Sequence, residues 1–203
     1  DGEMVGFKDE EKELVEQLLS RSSRQLQIIS IAGMPGLGKT FLTNKVYNNP
    51  KVRNHFHVRA WCTISQVHEK GQLLINILSQ LKGSREAMSQ RTNVELAGEL
   101  KRCPLGRRYL IVLDDIWDIK VWDDLKTYFP NDNKWGSRIV FTSRFSNLAS
   151  QASLDSRLHQ LRTFSESESW ELLRKKIFGK ESCPLELLEV GQEIAKGCNG
   201  LPL

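Results

Sequence analysis

The chain has 203 residues, enough for one α/β domain with its own core and part of a second unit. The hydrophobic content of 39% and charged content of 27% are ordinary for a globular protein, and no apolar run approaches the roughly 20 residues of a bilayer-spanning helix. The net charge of +4 comes from scattered Lys and Arg with acidic residues between them, which argues against a nucleic-acid-binding stripe. The four cysteines form no C-x₂-C pair, which favours reduced thiols in a cytosolic or nuclear compartment.

Short β-branched apolar segments alternate with stretches of helical periodicity between residues 27 and 161. The predicted strands are Gln27–Ala32, Val58–Ser65, Tyr109–Leu113, Ser137–Thr142 and Leu158–Leu161. The predicted helices are Lys39–Asn48, a segment containing Leu73–Leu81, and Val94–Cys103, which Pro104 and Gly106 close, while Gly83–Asn93 is predicted to be a loop. Strands that alternate with helices predict an α/β fold with a mostly parallel five-stranded sheet, covered by helices on both faces.

The pattern changes after Arg162. Ser165 and Glu168 form a capping-box pattern before apolar residues at helical spacing, and a second helix is predicted over Leu185–Lys196. The residues of this second helix predicted to face inward are Leu187, Val190, Gly191 and Ile194. We therefore expect an α/β domain over residues 1–162 and the start of a helical unit over residues 163–203, cut from something longer.

A phosphate-binding loop is predicted after the first strand. The segment GMPGLGKT at residues 33–40 fits the pattern G-x-x-x-x-G-K-[ST] at every fixed position, and it lies between a predicted buried strand and a predicted helix. The glycines allow the main chain to curl around a phosphate with its N–H groups inward, and the helix N-terminus favours an anion. Lys39 would supply a charge for the β- and γ-phosphates, and the Thr40 hydroxyl would ligate Mg²⁺. A glycine-rich turn before a helix is the alternative, although the pattern should arise by chance in only about one chain in a hundred of this length.

Two further polar elements follow predicted strands. Asp114 and Asp115 come directly after four apolar residues, at the strand end where open α/β sheets place their ligands. Asp114 would hold Mg²⁺, directly or through water, and Asp115 could orient or deprotonate a water. Arg144 follows the fourth strand and can reach a terminal phosphate. For each element, an ordinary strand-exit residue is the alternative.

These elements, in this order, resemble the NB-ARC domain of plant intracellular immune receptors (NLR proteins) and of the animal apoptosome protein. The resemblance covers essentially the whole chain. Its segments are Val5-Gly6, GMPGLGKT at 33–40, RAWCTIS at 59–65, LIVLDDIW at 110–117, GSRIVFTSR at 136–144 and GLPL at 200–203. Trp117 after the acidic pair resembles the coiled-coil class rather than the TIR class, and the overall sequence is similar to that of solanaceous receptors and their helper group.

The resemblance implies roles that spacing alone does not. Met4 to Phe7 would line the adenine, Pro202 would pack on the adenine or ribose, and Arg144 would be the sensor arginine. The full set of nucleotide contacts expected is Val5, Gly6, Gly33, Pro35, Gly36, Leu37, Gly38, Lys39, Thr40, Phe41, Arg144 and Pro202, with Thr40 and Asp114 on the metal and Asp115 as a candidate catalytic residue. Phe7 stands where the family often has Arg, and Phe41 where it often has Thr, which puts individual contacts in doubt but not the site.

The function expected is an adenine-nucleotide switch with ADP bound at rest, ATP with Mg²⁺ bound when active, and at most slow ATP hydrolysis, because Asp115 is one methylene shorter than the usual Glu. A multiple-turnover P-loop ATPase and a nucleotide-regulated DNA-binding ATPase are the alternatives. The resemblance also implies a cytoplasmic protein (with nuclear or membrane-peripheral locations open to the full-length chain) that oligomerises when active. Its coiled coil, winged-helix subdomain and leucine-rich repeats would lie outside this chain.

Overall fold

One parallel sheet forms the centre of the molecule. The structure is a computed structural model, and it describes residues 5–20, 25–64, 70–83, 85–103, 108–129, 135–146 and 157–202. The strands are β1 (Gln27–Ala32), β2 (Val58–Thr63), β3 (Tyr109–Ile116), β4 (Arg138–Ser143) and β5 (Arg157–Gln160). They lie in the order β2-β3-β4-β1-β5, and every neighbouring pair is parallel. The predicted five-stranded sheet is confirmed.

Helices connect the strands and continue after the last one. Within the described ranges they are α1 (Lys8–Leu19), α2 (Lys39–Asn48), α3 (Pro50–His55), α4 (Lys70–Lys82), α5 (Glu86–Ser89), α6 (Asn93–Arg102), α7 (Ile119–Lys126), α8 (Glu166–Phe178) and α9 (Leu185–Gly197). None of these helices has the length and apolar character that crossing a membrane requires. The prediction of a loop over Gly83–Asn93 is wrong in part, because α5 forms there and buries Met88.

The interior strand β3 contributes to two apolar clusters, one on each face of the sheet. Side chains alternate along a strand, so Tyr109, Ile111 and Leu113 belong to one cluster and Leu110 and Val112 to the other. Buried residues of α4, α6 and α7 cover the first face, and those of α1, α2 and α3 cover the second. This double coverage explains why β3 is apolar from Tyr109 to Leu113 rather than alternating.

Helix α1 is attached to the sheet by a buried arginine. Arg138, the first residue of β4, is only 1% exposed and donates hydrogen bonds to the carbonyl oxygens of Ser20 (2.9 Å) and Gln25 (3.3 Å). Burial lowers the pKa of this guanidinium to about 10. The contacts hold Ser20, directly after α1, and Gln25, shortly before β1, against the start of β4.

The final two helices, α8 and α9, pack against each other. Gly191 of α9 lies against Trp170 of α8, where a Cβ atom would be 2.3 Å from the indole ring. The prediction that Leu187, Val190 and Ile194 also face inward is wrong, because these side chains are 48%, 54% and 53% exposed. Helical periodicity shows which residues of α9 share a face, but the covered positions of this helix include Gly191, against Trp170, and Ala195, which is 2% exposed.

Several sequence predictions fall on positions outside the described residues. These positions are Met4, Ser65, Pro104, Gly106 and Leu203.

Candidate functional site

The loop between β1 and α2 reverses the chain at the carboxyl edge of the sheet. Gly36 and Gly38 have φ angles of 83° and 84°, a region in which a Cβ atom is unfavourable. Gly38 is the N-cap of α2, and no side chain caps the first turn of that helix. The loop therefore presents a helix N-terminus to the cleft, and unpaired N–H groups with a positive dipole end attract an anion such as a phosphate.

Lys39 folds back over this loop. Its ammonium donates hydrogen bonds to the carbonyl oxygens of Gly33 (2.7 Å) and Met34 (2.8 Å), and the residue is only 7% exposed. Burial lowers the pKa of Lys39, while the nearby carboxylates of Asp115 and Asp114 act in the opposite direction. Both acceptors are neutral and an ammonium has three donors, so Lys39 retains capacity to bind an anion in the cleft.

Asp114 connects the loop helix to the sheet. The residue is 3% exposed, and its carboxylate accepts hydrogen bonds from the hydroxyls of Thr40 (3.0 and 3.1 Å) and Thr142 (2.7 Å). A hydroxyl and a carboxylate in contact form the all-oxygen ligand set that Mg²⁺ prefers. The two residues predicted to ligate the metal therefore lie together and fit Mg²⁺, although the role itself stays a prediction.

A β-bulge places the second carboxylate beside the first. Between Leu113 and Ile116, β3 contains one residue more than the paired segment of β4, and within it Asp115 has a φ of 62°. Consecutive side chains of a regular strand point to opposite faces, but here Asp114 and Asp115 line the same cleft. The Asp115 N–H donates a hydrogen bond to the Thr142 hydroxyl (2.8 Å), which fixes the bulge.

Arg144 is paired with Asp115. Its Nε and terminal nitrogen donate to the two carboxylate oxygens at 3.2 and 2.9 Å, a bidentate arrangement. The hydrogen bond and charge of Asp115 raise the pKa of Arg144, so the arginine stays cationic. The predicted sensor and the predicted water-orienting residue therefore contact each other directly.

An open cleft of about 740 Å³ collects most of the predicted site residues. Those that line it are Pro35, Gly36, Gly38, Lys39, Thr40, Phe41, Asp114, Asp115 and Arg144. Gly33 and Leu37 do not line it: the Gly33 carbonyl holds Lys39, and Leu37 is a buried core residue. Val5 is likewise in the core, whereas Pro202 lies beside the loop, with its Cγ 4.0 Å from where a Cβ of Gly38 would be.

Comparison with known proteins assigns the chain that carries this cleft to a family. The family model described as "NB-ARC domain" matches residues 8–183. The chain belongs to the NB-ARC family.

The relatives include plant proteins whose names refer to disease resistance. This NB-ARC chain is 46% identical over 201 residues to a "Putative late blight resistance protein homolog" of Solanum demissum, in a match that covers 99% of the chain and 16% of the relative. The chain spans between 15% and 26% of the length of such relatives. The resemblance to solanaceous receptors is confirmed at this level.

Solved structures support the fold. The ADP form of the Aeropyrum pernix ORC2 protein superposes with a TM-score of 0.71 at 14% identity, over 98% of the NB-ARC chain and 60% of that chain. The STAND protein PH0952 of Pyrococcus horikoshii gives 0.61 at 16% identity, over 98% of this chain and 28% of that one. At such identities the comparison establishes the P-loop ATPase fold and no more.

Three residues line the NB-ARC cleft without having been assigned a role from the sequence: Asn44, Thr63 and Thr142. Thr142 is the most informative, because its hydroxyl accepts from the Asp115 N–H and donates to the Asp114 carboxylate. From the sequence, the segment Thr142–Arg144 predicts a role only for its arginine. The signal available for Thr142 was a hydroxyl near the end of a buried strand.

Replacing Thr142 with valine is expected to lower the affinity of the nucleotide site for Mg²⁺. The change keeps the shape but removes the hydroxyl that orients Asp114, and loss of such an outer contact typically weakens metal affinity by about tenfold or more. Mg²⁺ titrations of ADP binding would measure this, with Thr142→Ser as the variant that restores the hydroxyl. An unchanged affinity for Mg²⁺ in Thr142→Val would contradict the role of Thr142 in orienting Asp114.

The segment before α1 packs against the helical part of the NB-ARC chain rather than lying free beside the cleft. Phe7 and Phe164 make an edge-to-face contact with centroids 4.9 Å apart, and a Cβ on Gly6 would lie 2.9 Å from the Phe164 ring. Phe164 in turn donates its N–H to the Gly200 carbonyl (2.8 Å). Phe164 thus joins the predicted adenine-side residues to the segment that carries Pro202.

Acid is expected to weaken the ion pair between Arg162 and Glu168, which lies close to Phe164 in sequence. The Arg162 guanidinium donates to both oxygens of Glu168 (2.6 and 2.8 Å) and, with the Ser165 backbone, lowers the pKa of Glu168 to about 2. A depressed carboxyl pKa stabilises the folded state above the ordinary value of 4.5, and the contribution is lost as pH falls toward 2. Urea denaturation should therefore show wild type more stable than Glu168→Gln near pH 6, with a difference that shrinks as pH falls from 5 to 3. A pH-independent difference would contradict the assignment.

Proposed function

We propose that this chain is the adenine-nucleotide-binding switch of a plant intracellular immune receptor, holding ADP at rest and ATP with Mg²⁺ when active. One observation carries the proposal: Lys39, Thr40 and Asp114 meet at an uncapped helix N-terminus in a cleft large enough for a nucleotide. Membership of the NB-ARC family supports the nucleotide, and the name of the Solanum demissum relative supports the defence context.

The chain's own residues would divide the work of binding. The N–H groups of the loop and the Lys39 ammonium would hold the phosphates, while Thr40 and Asp114 would hold Mg²⁺. Bound Mg²⁺ would neutralise phosphate charge. Pro202 lies beside Gly38, so the helical part could close over the bound nucleotide.

The switch requires that nucleotide favour one arrangement of the α/β part, residues 1–162, and the helical part, residues 163–203. A nucleotide can move such an equilibrium only by its difference in affinity for the two states. The contact of Phe164 with Phe7 runs between the two parts, so it supplies a surface that a nucleotide could bias. The further domains expected in the full-length cytoplasmic receptor, and its oligomerisation, belong to the same proposal.

Slow hydrolysis is part of this proposal. Asp115 is one methylene shorter than the Glu that many hydrolysing relatives place at this position, so its carboxylate reaches less far toward an attacking water. We expect a steady-state phosphate release well below about 1 s⁻¹, the lower end of the ordinary enzyme range. A faster rate would favour the multiple-turnover ATPase instead.

Thermal unfolding in the presence of nucleotide tests the proposal. At one hundred times its dissociation constant, ADP with Mg²⁺ should stabilise the chain by about 2.7 kcal/mol. GDP at the same concentration is the matched control and should stabilise much less, because no N-K-x-D segment follows the acidic strand. No stabilisation by ADP or ATP, or an equal effect of GDP, would count against an adenine-nucleotide switch.

A further inference from the structure

Asp115 and Arg144 form a half-exposed ion pair inside the candidate nucleotide cleft. The two side chains are 35% and 43% exposed, and both line the cleft together with Lys39 and Thr40. The pair is bidentate and occupies the edge of the guanidinium formed by Nε and one terminal nitrogen, an edge through which a phosphate can also be bound. Bidentate binding of an anion by that same edge requires the carboxylate to be displaced.

The carboxylate is the fixed member of the pair. The bulge in β3 gives Asp115 its φ of 62°, and the hydrogen bond from its N–H to Thr142 holds that conformation. Asp115 therefore faces the cleft for reasons independent of Arg144. Arg144 follows β4 on a long side chain, so it is the member able to move.

We propose that Asp115 sets the preference of this site between ADP and ATP, by competing with the terminal phosphate of ATP for Arg144. The inference rests on the proposed function and adds a residue-level origin for its ligand preference. The terminal phosphate of ATP can bind that edge of Arg144 only by breaking the Asp115–Arg144 pair, whereas ADP, which lacks the γ-phosphate, leaves the pair intact. The pair thus lowers the affinity for ATP relative to ADP and favours the resting nucleotide.

The size of the effect follows from the exposure of the pair. Partly exposed ion pairs contribute at most about 1 kcal/mol, so their loss changes a binding ratio by about two- to fivefold. We expect Asp115→Asn to shift the ratio of affinities by that factor toward ATP. Asn is the suitable replacement, since it keeps the side-chain shape and tolerates a positive φ. Asp115→Gly, which accommodates the same backbone, serves as a second variant.

A double-mutant cycle separates competition from simple repulsion between carboxylate and triphosphate. The measurement is the dissociation constant of ADP and of a non-hydrolysable ATP analogue, both with Mg²⁺, for wild type, Asp115→Asn, Arg144→Gln and the double variant. Competition predicts that the Asp115→Asn shift toward the ATP analogue disappears in the Arg144→Gln background. Asp123→Asn, an exposed carboxylate on α7 that pairs with Lys126, is the charge-matched control and should change nothing.

Three outcomes decide between the claims. A shift that survives unchanged without Arg144, or no shift in Asp115→Asn and Asp115→Gly, would overturn the competition. A wild-type chain that binds neither nucleotide would refute the proposed function itself. A shift confined to the variants that retain Arg144 would support both.

Discussion

Replacing Lys39 with alanine is expected to weaken ADP binding by at least about a hundredfold, to below detection in a typical calorimetric titration. The reason is electrostatic: Lys39 is buried and its ammonium contacts the loop, where its charge is poorly screened by water. Truncating one member of a buried charge pair costs about 2–5 kcal/mol, and each 1.4 kcal/mol is a factor of ten in affinity. Among the described residues, no other cationic side chain donates hydrogen bonds to the carbonyl oxygens of Gly33 and Met34.

The matched control for that variant is Lys51→Ala. Lys51 is exposed on α3 and does not line the cleft, so its removal changes the net charge equally without touching the site. Binding of ADP should be unaltered in this control. Undiminished ADP retention by Lys39→Ala would remove the basis for assigning the loop to phosphate.

Replacing Gly200 with alanine is expected to lower the free energy of unfolding by about 2–4 kcal/mol. Gly200 has a φ of 74°, and a Cβ atom there would lie 2.5 Å from the Phe164 carbonyl oxygen and 2.8 Å from the Thr163 Cβ. The left-handed conformation costs a non-glycine residue about 1–2 kcal/mol, and overpacking adds about 1–3 kcal/mol. Relief of this clash would displace the chain at residue 200 and move Pro202 away from Gly38, so the affinity for ADP should fall as well.

Gly197→Ala provides the comparison. Gly197 ends α9, does not have a positive φ, and a Cβ there would meet no atom within 4 Å. Urea denaturation should show a change below about 0.5 kcal/mol or a slight gain in stability. Equal stability of the two glycine variants would contradict this account. It would mean that the close packing of Gly200 against Phe164 does not hold Pro202 beside the loop.

Much of the fold was predictable from local pattern. The apolar run Tyr109–Leu113 has no polar alternation, and it forms a strand covered on both faces. The loop at residues 33–40 was identified because its spacing follows from phosphate geometry, and Ser165 with Glu168 marked the start of α8. These signals are short in sequence, so one chain suffices to recognise them.

The remainder depends on contacts between distant segments. The bulge at Asp115 arises where β3 meets β4, and no local feature distinguishes it from a regular strand end. The ion pair with Arg144 follows from that bulge, so the sequence indicated both residues but not their contact. Ser20, at the end of helix α1, is held by Arg138, more than one hundred residues away, a contact that no local pattern predicts. The exposed face of α9 was mispredicted because periodicity shows which residues share a face and not whether a neighbour covers it.

The most direct test is to identify what the protein releases on denaturation after purification in the presence of ADP, ATP and Mg²⁺ followed by removal of free nucleotide. Chromatography of the supernatant should show adenine nucleotide in near-stoichiometric amount from wild type and almost none from Lys39→Ala. A folded wild-type chain that releases no adenine nucleotide, or that releases as much from the lysine variant as from wild type, would contradict the account.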